Sequence, residues 1–136
     1  MNEMYKDTIT LFNRYNGTWI PTVLHNVDLN ADRGAIMQTY GASSTDNAKL
    51  HLEVKDGKVD NHPVLSPKEY AGEGITFRSG NDFDFFWHGV WEAGVQNETD
   101  YPKGFYDYMR RMYDGVYAIT SVAVYSVIPH YEILAK

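Results

Sequence analysis

The stretch that most constrains how this chain can fold is residues 116–136, VYAITSVAVYSVIPHYEILAK, which is apolar on both faces that a strand would present. Val116, Ala118, Val122 and Val124 alternate with Tyr117, Ile119, Ala123 and Tyr125. A strand of this kind carries hydrophobic groups on both sides and must be covered twice, so the pattern predicts a central element of a sheet. Pro129 cannot donate to a ladder. It therefore predicts that the strand ends or bends near Val127 and that residues 131–135 form a second, edge-type strand.

The rest of the chain reads as short strands separated by turn signals. Residues 7–15, DTITLFNRY, place Ile9 and Leu11 on one side and Thr8, Thr10 and Phe12 on the other. Asn16-Gly17 follows, a pair suited to the two positive-φ positions of a type I′ turn, and residues 18–27 return as the partner strand. Pro21 in that return strand predicts a sheet edge or bulge there. Residues 35–40 are expected to form a short strand and 41–48 a polar loop. In residues 49–55, Leu50, Leu52 and Val54 alternate with charged and polar residues until Asp56-Gly57 stops the strand. Residues 58–74 carry Pro63, Pro67, Gly72 and Gly74 without a sustained period, and are expected to form a long loop separable from the fold. A strand is expected again at 75–79. One helix is predicted, over residues 100–113. Phe105, Tyr108, Met109 and Met112 fall on one stripe, Pro102 suits the first turn, and Asp114-Gly115 supplies the stop. The absence of a βαβ rhythm gives a fold class of mainly β, a small β-barrel or β-sandwich with one short α-helix near the C-terminus, in a single domain over 1–136.

Composition narrows the chemistry. No cysteine is present, which excludes disulfides, thiolate metal sites and cysteine nucleophiles. Twelve basic residues against eighteen acidic give a net charge of −6, a field that repels phosphate and argues against nucleic acid or an anionic membrane as partner. No apolar run approaches the roughly 20 residues of a membrane helix, and the opening MNEMYKDTITLF lacks the features of a secretory signal, so the expected setting is the cytoplasm of the producing cell. Eleven tyrosines, six phenylalanines and three tryptophans suit either a packed β core or a protein-binding face.

Two segments can be weighed for chemistry. Asp28, Asn30 and Asp32 have the spacing that begins an EF-hand calcium loop, but Arg33 stands where glycine is needed and Thr39 where a bidentate glutamate is needed. Residues 28–34 therefore read as a solvated turn. Residues 81–94, NDFDFFWHGVWEAG, mix Asp82, Asp84, His88 and Glu92 with Phe83, Phe85, Phe86, Trp87 and Trp91. Convergence of the four ionisable groups would make an acid/base or metal site, and convergence of the five rings would line an apolar or sugar-binding pocket. The spacing matches no metal-ligand or catalytic motif, so no enzyme, cofactor or metal is expected, and a strand with its rings in a core is the favoured reading.

The opening DTITLFNRY with WIPTVLHNV, the closing VYAITSVAVYSVIPHYEILAK, and the middle pieces FDFFWHGVW and GFYDYM resemble a family of small proteins from the structural-gene modules of tailed phages and prophages of Gram-positive bacteria. Members of that family are described as minor capsid or head-tail joining proteins. The resemblance implies a virion protein of the neck, assembling as a ring between portal and tail with other head-tail proteins as partners. It places the protein in the virion once assembled and in the cytoplasm of the bacterial host when expressed, and is compatible with a monomer in isolation. It brings no catalytic residues. On this reading the loop at 58–74 and the turn at 28–34 are the expected assembly surfaces, with Asp28, Asp32, Arg33, Val64, Leu65 and Tyr70 as contact residues. The alternative is a small-ligand-binding barrel built around the rings of residues 83–91.

Overall fold

The computed structural model describes residues 6–31, 48–125 and 129–136. Its strands are β1 (Asp7–Tyr15), β2 (Thr18–Ala31), β3 (Ala48–Glu53), β4 (Lys58–Val59), β5 (His62–Pro63), β6 (Phe85–Trp87), β7 (Gln96–Asn97), β8 (Val116–Tyr125) and β9 (His130–Ala135), with one α-helix, α1 (Phe105–Met112), among the described residues. Six strands follow one another in the order β1-β6-β8-β9-β3-β2, and pairing of β2 back onto β1 closes them into a barrel. β7 adds a short extra strand to β2, and β4 and β5 form a separate small hairpin. The mainly β class with a short helix near the C-terminus is what the sequence predicts, and of the two architectures it allows the protein adopts the barrel. The expected strand at 35–40 and most of the loop at 41–48 lie outside the described residues.

The β1–β2 hairpin forms as its turn chemistry dictates. Asn16 and Gly17 adopt φ of 50° and 75°, and Tyr15 pairs directly with Thr18. Farther along, β2 breaks its own alternation. Thr8 alone in β1 lies opposite both His25 and Asn26, and Asn26 takes φ 59°, which is a β-bulge. The bulge turns Leu24 and Val27, three residues apart, toward the same core, where they are 0% and 1% exposed. β2 then continues through Asp28–Ala31 to pair with β3. Residues 28–31, expected to form a solvated turn, are thus strand, held by hydrogen bonding to a neighbour that sequence spacing could not reveal.

Two apolar clusters occupy opposite faces of the β1–β6–β8 part of the sheet. Inside the barrel, Ile9, Leu11, Leu24, Leu50, Leu52, Phe86, Tyr117, Ile119 and Ile133 pack together. Outside it, Phe12, Trp19, Phe85 and Val116 meet Phe105 and Met109 of α1. Phe12 stacks on Phe85 at 4.8 Å between ring centres, and Phe105 approaches Phe12 edge-on at 5.3 Å. Each such ring pair contributes about 0.5–1.5 kcal/mol beyond the area it buries.

Double coverage is real for the first half of β8, where Val116, Tyr117 and Ile119 are buried, and it ends beyond the bulge at Ile119/Ser121. That bulge moves Val122 to the face of Ile119, whereas strict alternation assigns it to the face of Val116. Val124 and Tyr125 are exposed. β9 is not an edge: it pairs with β3 along one side and β8 along the other. Pro129 sits just ahead of it, outside the ladder, so its missing donor costs β9 nothing. Residues 75–79 form no strand beyond a bridge between Ile75 and Val64.

α1 is shorter than its sequence stripe. Gly104 has φ 91°, which no helix admits, so the helix begins at Phe105. The Phe105 N–H donates to the Glu98 carboxylate at 2.7 Å, and the same carboxylate accepts from Trp19 Nε1 at 2.9 Å and pairs with Arg14 at 3.1 Å. A side chain seven positions upstream thus caps the helix and ties it to the barrel, with its negative charge at the positive end of the dipole. Met112, on the predicted stripe, faces out at 59% exposed because an eight-residue helix has room for two inward anchors, Phe105 and Met109. Glu98→Ala is expected to lower stability by about 1–3 kcal/mol, the cost of stranding buried donors. Urea denaturation followed by tryptophan fluorescence measures the loss.

Candidate functional site

The ionisable residues of 82–92 do not converge. Asp82 is exposed, Glu92 is exposed, and His88 lies 3.8 Å from Asp7. Asp84 is fully buried and entirely occupied. Its Oδ1 accepts from Arg78 Nη2 at 2.7 Å and Arg14 N–H at 3.2 Å, and its Oδ2 accepts from Arg78 Nε and the Arg78 N–H, both at 2.9 Å. Arg78 Nη2 also donates to the Arg14 carbonyl at 2.6 Å. Burial raises the Asp84 carboxyl above its usual range, with the Arg78 bonds opposing; those same bonds push the guanidinium higher still. This arrangement is a clasp that fastens residues 75–84 across the end of the barrel. Among the described residues no three histidine or carboxylate side chains are placed to hold a metal ion.

Nor do the five rings line one pocket. Phe86 points into the barrel and Phe85 out of it, both 0% exposed, while Phe83, Trp87 and Trp91 pack at the margin of the outer cluster. A concave surface lies elsewhere: an open depression of about 640 Å³ between Phe77, Arg78 and Asp82 on one side and Ser121 and Val122 of β8 on the other.

The predicted contact residues are spread over the molecule. Asp28 lies in β2 with its carboxylate 3.7 Å from Nδ1 of His51, whose Nε2 is 3.1 Å from Glu132, so the three form a row across β2, β3 and β9. Asp32 and Arg33 lie outside the described residues. Val64 packs against the barrel core, and Leu65 donates its N–H to the Ile75 carbonyl at 2.8 Å.

Tyr70, expected at a surface, is turned inward and 7% exposed. Its ring lies under the Arg78 guanidinium at 5.4 Å and meets Tyr15 edge-on at 6.0 Å. Gly72 packs beside Tyr15, where an added Cβ would come within 3.1 Å of the ring. With Val59 buried as well, residues 58–74 are part of the fold and not separable from it. The loop is long because it must reach its anchors, and no periodicity announces that.

What does lie on the surface was not singled out by the sequence. Val90, Val95, Met112 and Tyr113 are between 37% and 59% exposed. Of these, Tyr113 contacts half-buried Trp87 at 5.0 Å and Trp91 at 6.3 Å between ring centres, so the three rings form one aromatic patch. The irregular segment carrying this face is pinned by buried Thr10, whose hydroxyl donates to the Gly89 carbonyl at 2.8 Å and accepts from Trp91 N–H at 3.0 Å. A threonine in the middle of a strand gives no hint in sequence that it holds a loop eighty positions away.

Fold and surface together give a closed six-strand β-barrel with clasped loops and an aromatic patch on its outer side. Residues 4–136 match the family of unknown function DUF6751, and the chain belongs to that family. Comparison with curated proteins and with solved structures returns no match.

Two outcomes test the clasp. Asp84→Ala strands a guanidinium and is expected to cost about 3–5 kcal/mol in chemical denaturation. The second concerns Tyr70, whose buried hydroxyl has no hydrogen-bond partner among the described residues. Burial, and after it the Asp84 carboxylate, moves its pKa from the ordinary 10.0 up to about 12. Because the folded value lies above the unfolded one, the tyrosine's contribution to stability is intact below pH 10 and is lost as the pH rises from 10 toward 12. Tyr70→Phe is expected to abolish that alkaline loss and to raise stability at neutral pH by about 1 kcal/mol by removing an unsatisfied group. Denaturation curves across the alkaline range read both effects.

Proposed function

We propose that this protein is a virion structural component of a tailed phage or prophage of a Gram-positive host, a neck protein that joins head to tail as part of a ring. The observation that carries the reading is the patch that half-buried Trp87 and Trp91 form with exposed Tyr113, next in sequence to exposed Met112, on the outer side of the barrel. Tryptophan, tyrosine and methionine are the residues enriched at protein interfaces, where a large ring contributes area at low entropic cost. The resemblance of the strand segments at both ends of the chain to phage structural-module proteins supplies the identity of the assembly.

The aromatic patch is the assembly surface that this reading adds to the segments at 28–34 and 58–74. In a phage carrying this gene, the double variant Met112→Ser, Tyr113→Ser is expected to cost about 1–3 kcal/mol, since Tyr113 gives up its ring contacts with Trp87 and Trp91, and to leave the protein folded. The yield of particles with joined heads and tails should nevertheless fall at least tenfold. Full particle yield from a folded double variant, or genes for metabolic enzymes on both sides of this one where portal and tail-tube genes are expected, would refute the proposal.

A further inference from the structure

Exposed strand edges invite a second strand, and proteins guard them with charge. This barrel does so repeatedly. The Leu29 N–H on the outer edge of β2 donates to Asp7 Oδ2 at 2.9 Å, and the His25 N–H donates to Asp60 Oδ2 at 2.8 Å. In each case a carboxylate satisfies the donor and leaves a negative charge in the path of any approaching strand.

The second half of β8 has no such guard. β6 covers β8 from Val116 to Ala118, and the Ile119 N–H bonds to the Asp84 carbonyl at 3.1 Å. Past that point, among the described residues, β8 pairs with β9 alone. Ala118 and Lys136 exchange both backbone bonds, at 2.8 and 3.0 Å, so alternate β9 residues Leu134, Glu132 and His130 turn toward β8 and are met by Ser121, Ala123 and Tyr125. The N–H and C=O groups of Val122 and Val124 therefore point away from β9, and no described residue bonds them. No charged residue occurs from Val116 to Tyr125. Val124 is 66% exposed, and the open depression that separates Ser121 and Val122 from Arg78 and Asp82 leaves room alongside.

We propose that this unguarded edge is a dimer contact: β8 pairs antiparallel with β8 of a second copy about a two-fold axis at Ala123, so that Val122 and Val124 of each chain exchange backbone bonds with Val124 and Val122 of the other. Three observations select a second copy as the occupant. Unpaired strand backbone is complementary to another extended strand. Antiparallel self-pairing needs one open edge per chain, whereas head-to-tail addition needs two complementary ones. Two chains of net charge −6 also approach with least repulsion along a segment that carries no charge. The inference stands apart from the neck reading, since it concerns the free protein and a different surface.

Sedimentation across a hundredfold range of protein concentration is expected to show a monomer–dimer equilibrium. Amide exchange at Val122 and Val124 should slow as concentration rises, while Ala123, bonded to β9, is protected throughout. Val124→Pro removes an edge donor without touching the β9 ladder and should weaken dimerisation at least tenfold, whereas Val124→Ala, which loses the side chain but keeps the N–H, should retain it. If the proline variant fails to fold, exchange in the unaltered protein decides. A monomer at every concentration with fast, concentration-independent exchange at Val122 and Val124 would overturn the proposal, as would a dimer undiminished in folded Val124→Pro.

Discussion

The structure depends on one constraint: the sheet formed by β1, β6 and β8 has to bury both of its faces. A closed barrel covers one face of every strand with its own interior, and here the interior is lined by Ile9, Leu11, Phe86, Tyr117 and Ile119. The opposite face of the same strands carries Phe12, Phe85 and Val116, which at this position would stand in water. α1 and the irregular segment before it exist, in physical terms, to cover them. Burial of a large aromatic side chain is worth roughly 1.5–3 kcal/mol, so three or four rings on the outer face outweigh the cost of ordering an eight-residue helix that could not persist alone.

Hydrophobic cover needs fixing in place, and buried polar side chains do that work. Thr10 holds residues 89–91, Glu98 holds the start of α1, and Asp84 with Arg78 holds residues 75–84. Glu98 and Asp84 reach side chains as well as backbone, whereas Thr10, in the middle of β1, reaches backbone alone. A network that is fully satisfied in one arrangement leaves buried charges exposed to cost in any other, which narrows the loops to one position even though they lack regular structure. Rigid loops are what allow an aromatic face built largely on irregular backbone to keep a defined shape.

How much of this could be read from the sequence divides along the reach of the interaction involved. The Asn16-Gly17 hairpin, the inward Leu50 and Leu52, and the doubly apolar start of β8 all follow from neighbours within a few residues, and all are present as expected. Where a pattern is broken by a bulge, reading fails: Asn26 brings Leu24 and Val27 to one face, and the irregularity after Ile119 moves Val122 across the sheet. Strand neighbours are equally hidden, so β9 looks like an edge while lying between β3 and β8, and Asp28 looks like a turn residue while pairing with His51. The surface was the least legible part. Tyr70 is inward, packed under Arg78 and against Tyr15, and Met112 is outward in the last position of a short helix; neither fact leaves a local trace.

The place of β9 has a consequence for the order in which the molecule can form. β1 and β2 are adjacent in sequence and can pair as soon as both exist, and β3 can add to β2 soon after. The ring of strands has a gap between β3 and β8 until β9 fills it, and the partners of β9 span from Ala48 to Tyr125. A chain emerging from the ribosome thus carries an open, curved half-barrel with apolar interior side chains in water until synthesis has passed Ala135. Closure of so non-local a contact is intrinsically slow, so the interval in which the nascent chain is most exposed to aggregation is set by the last strand and not by the first.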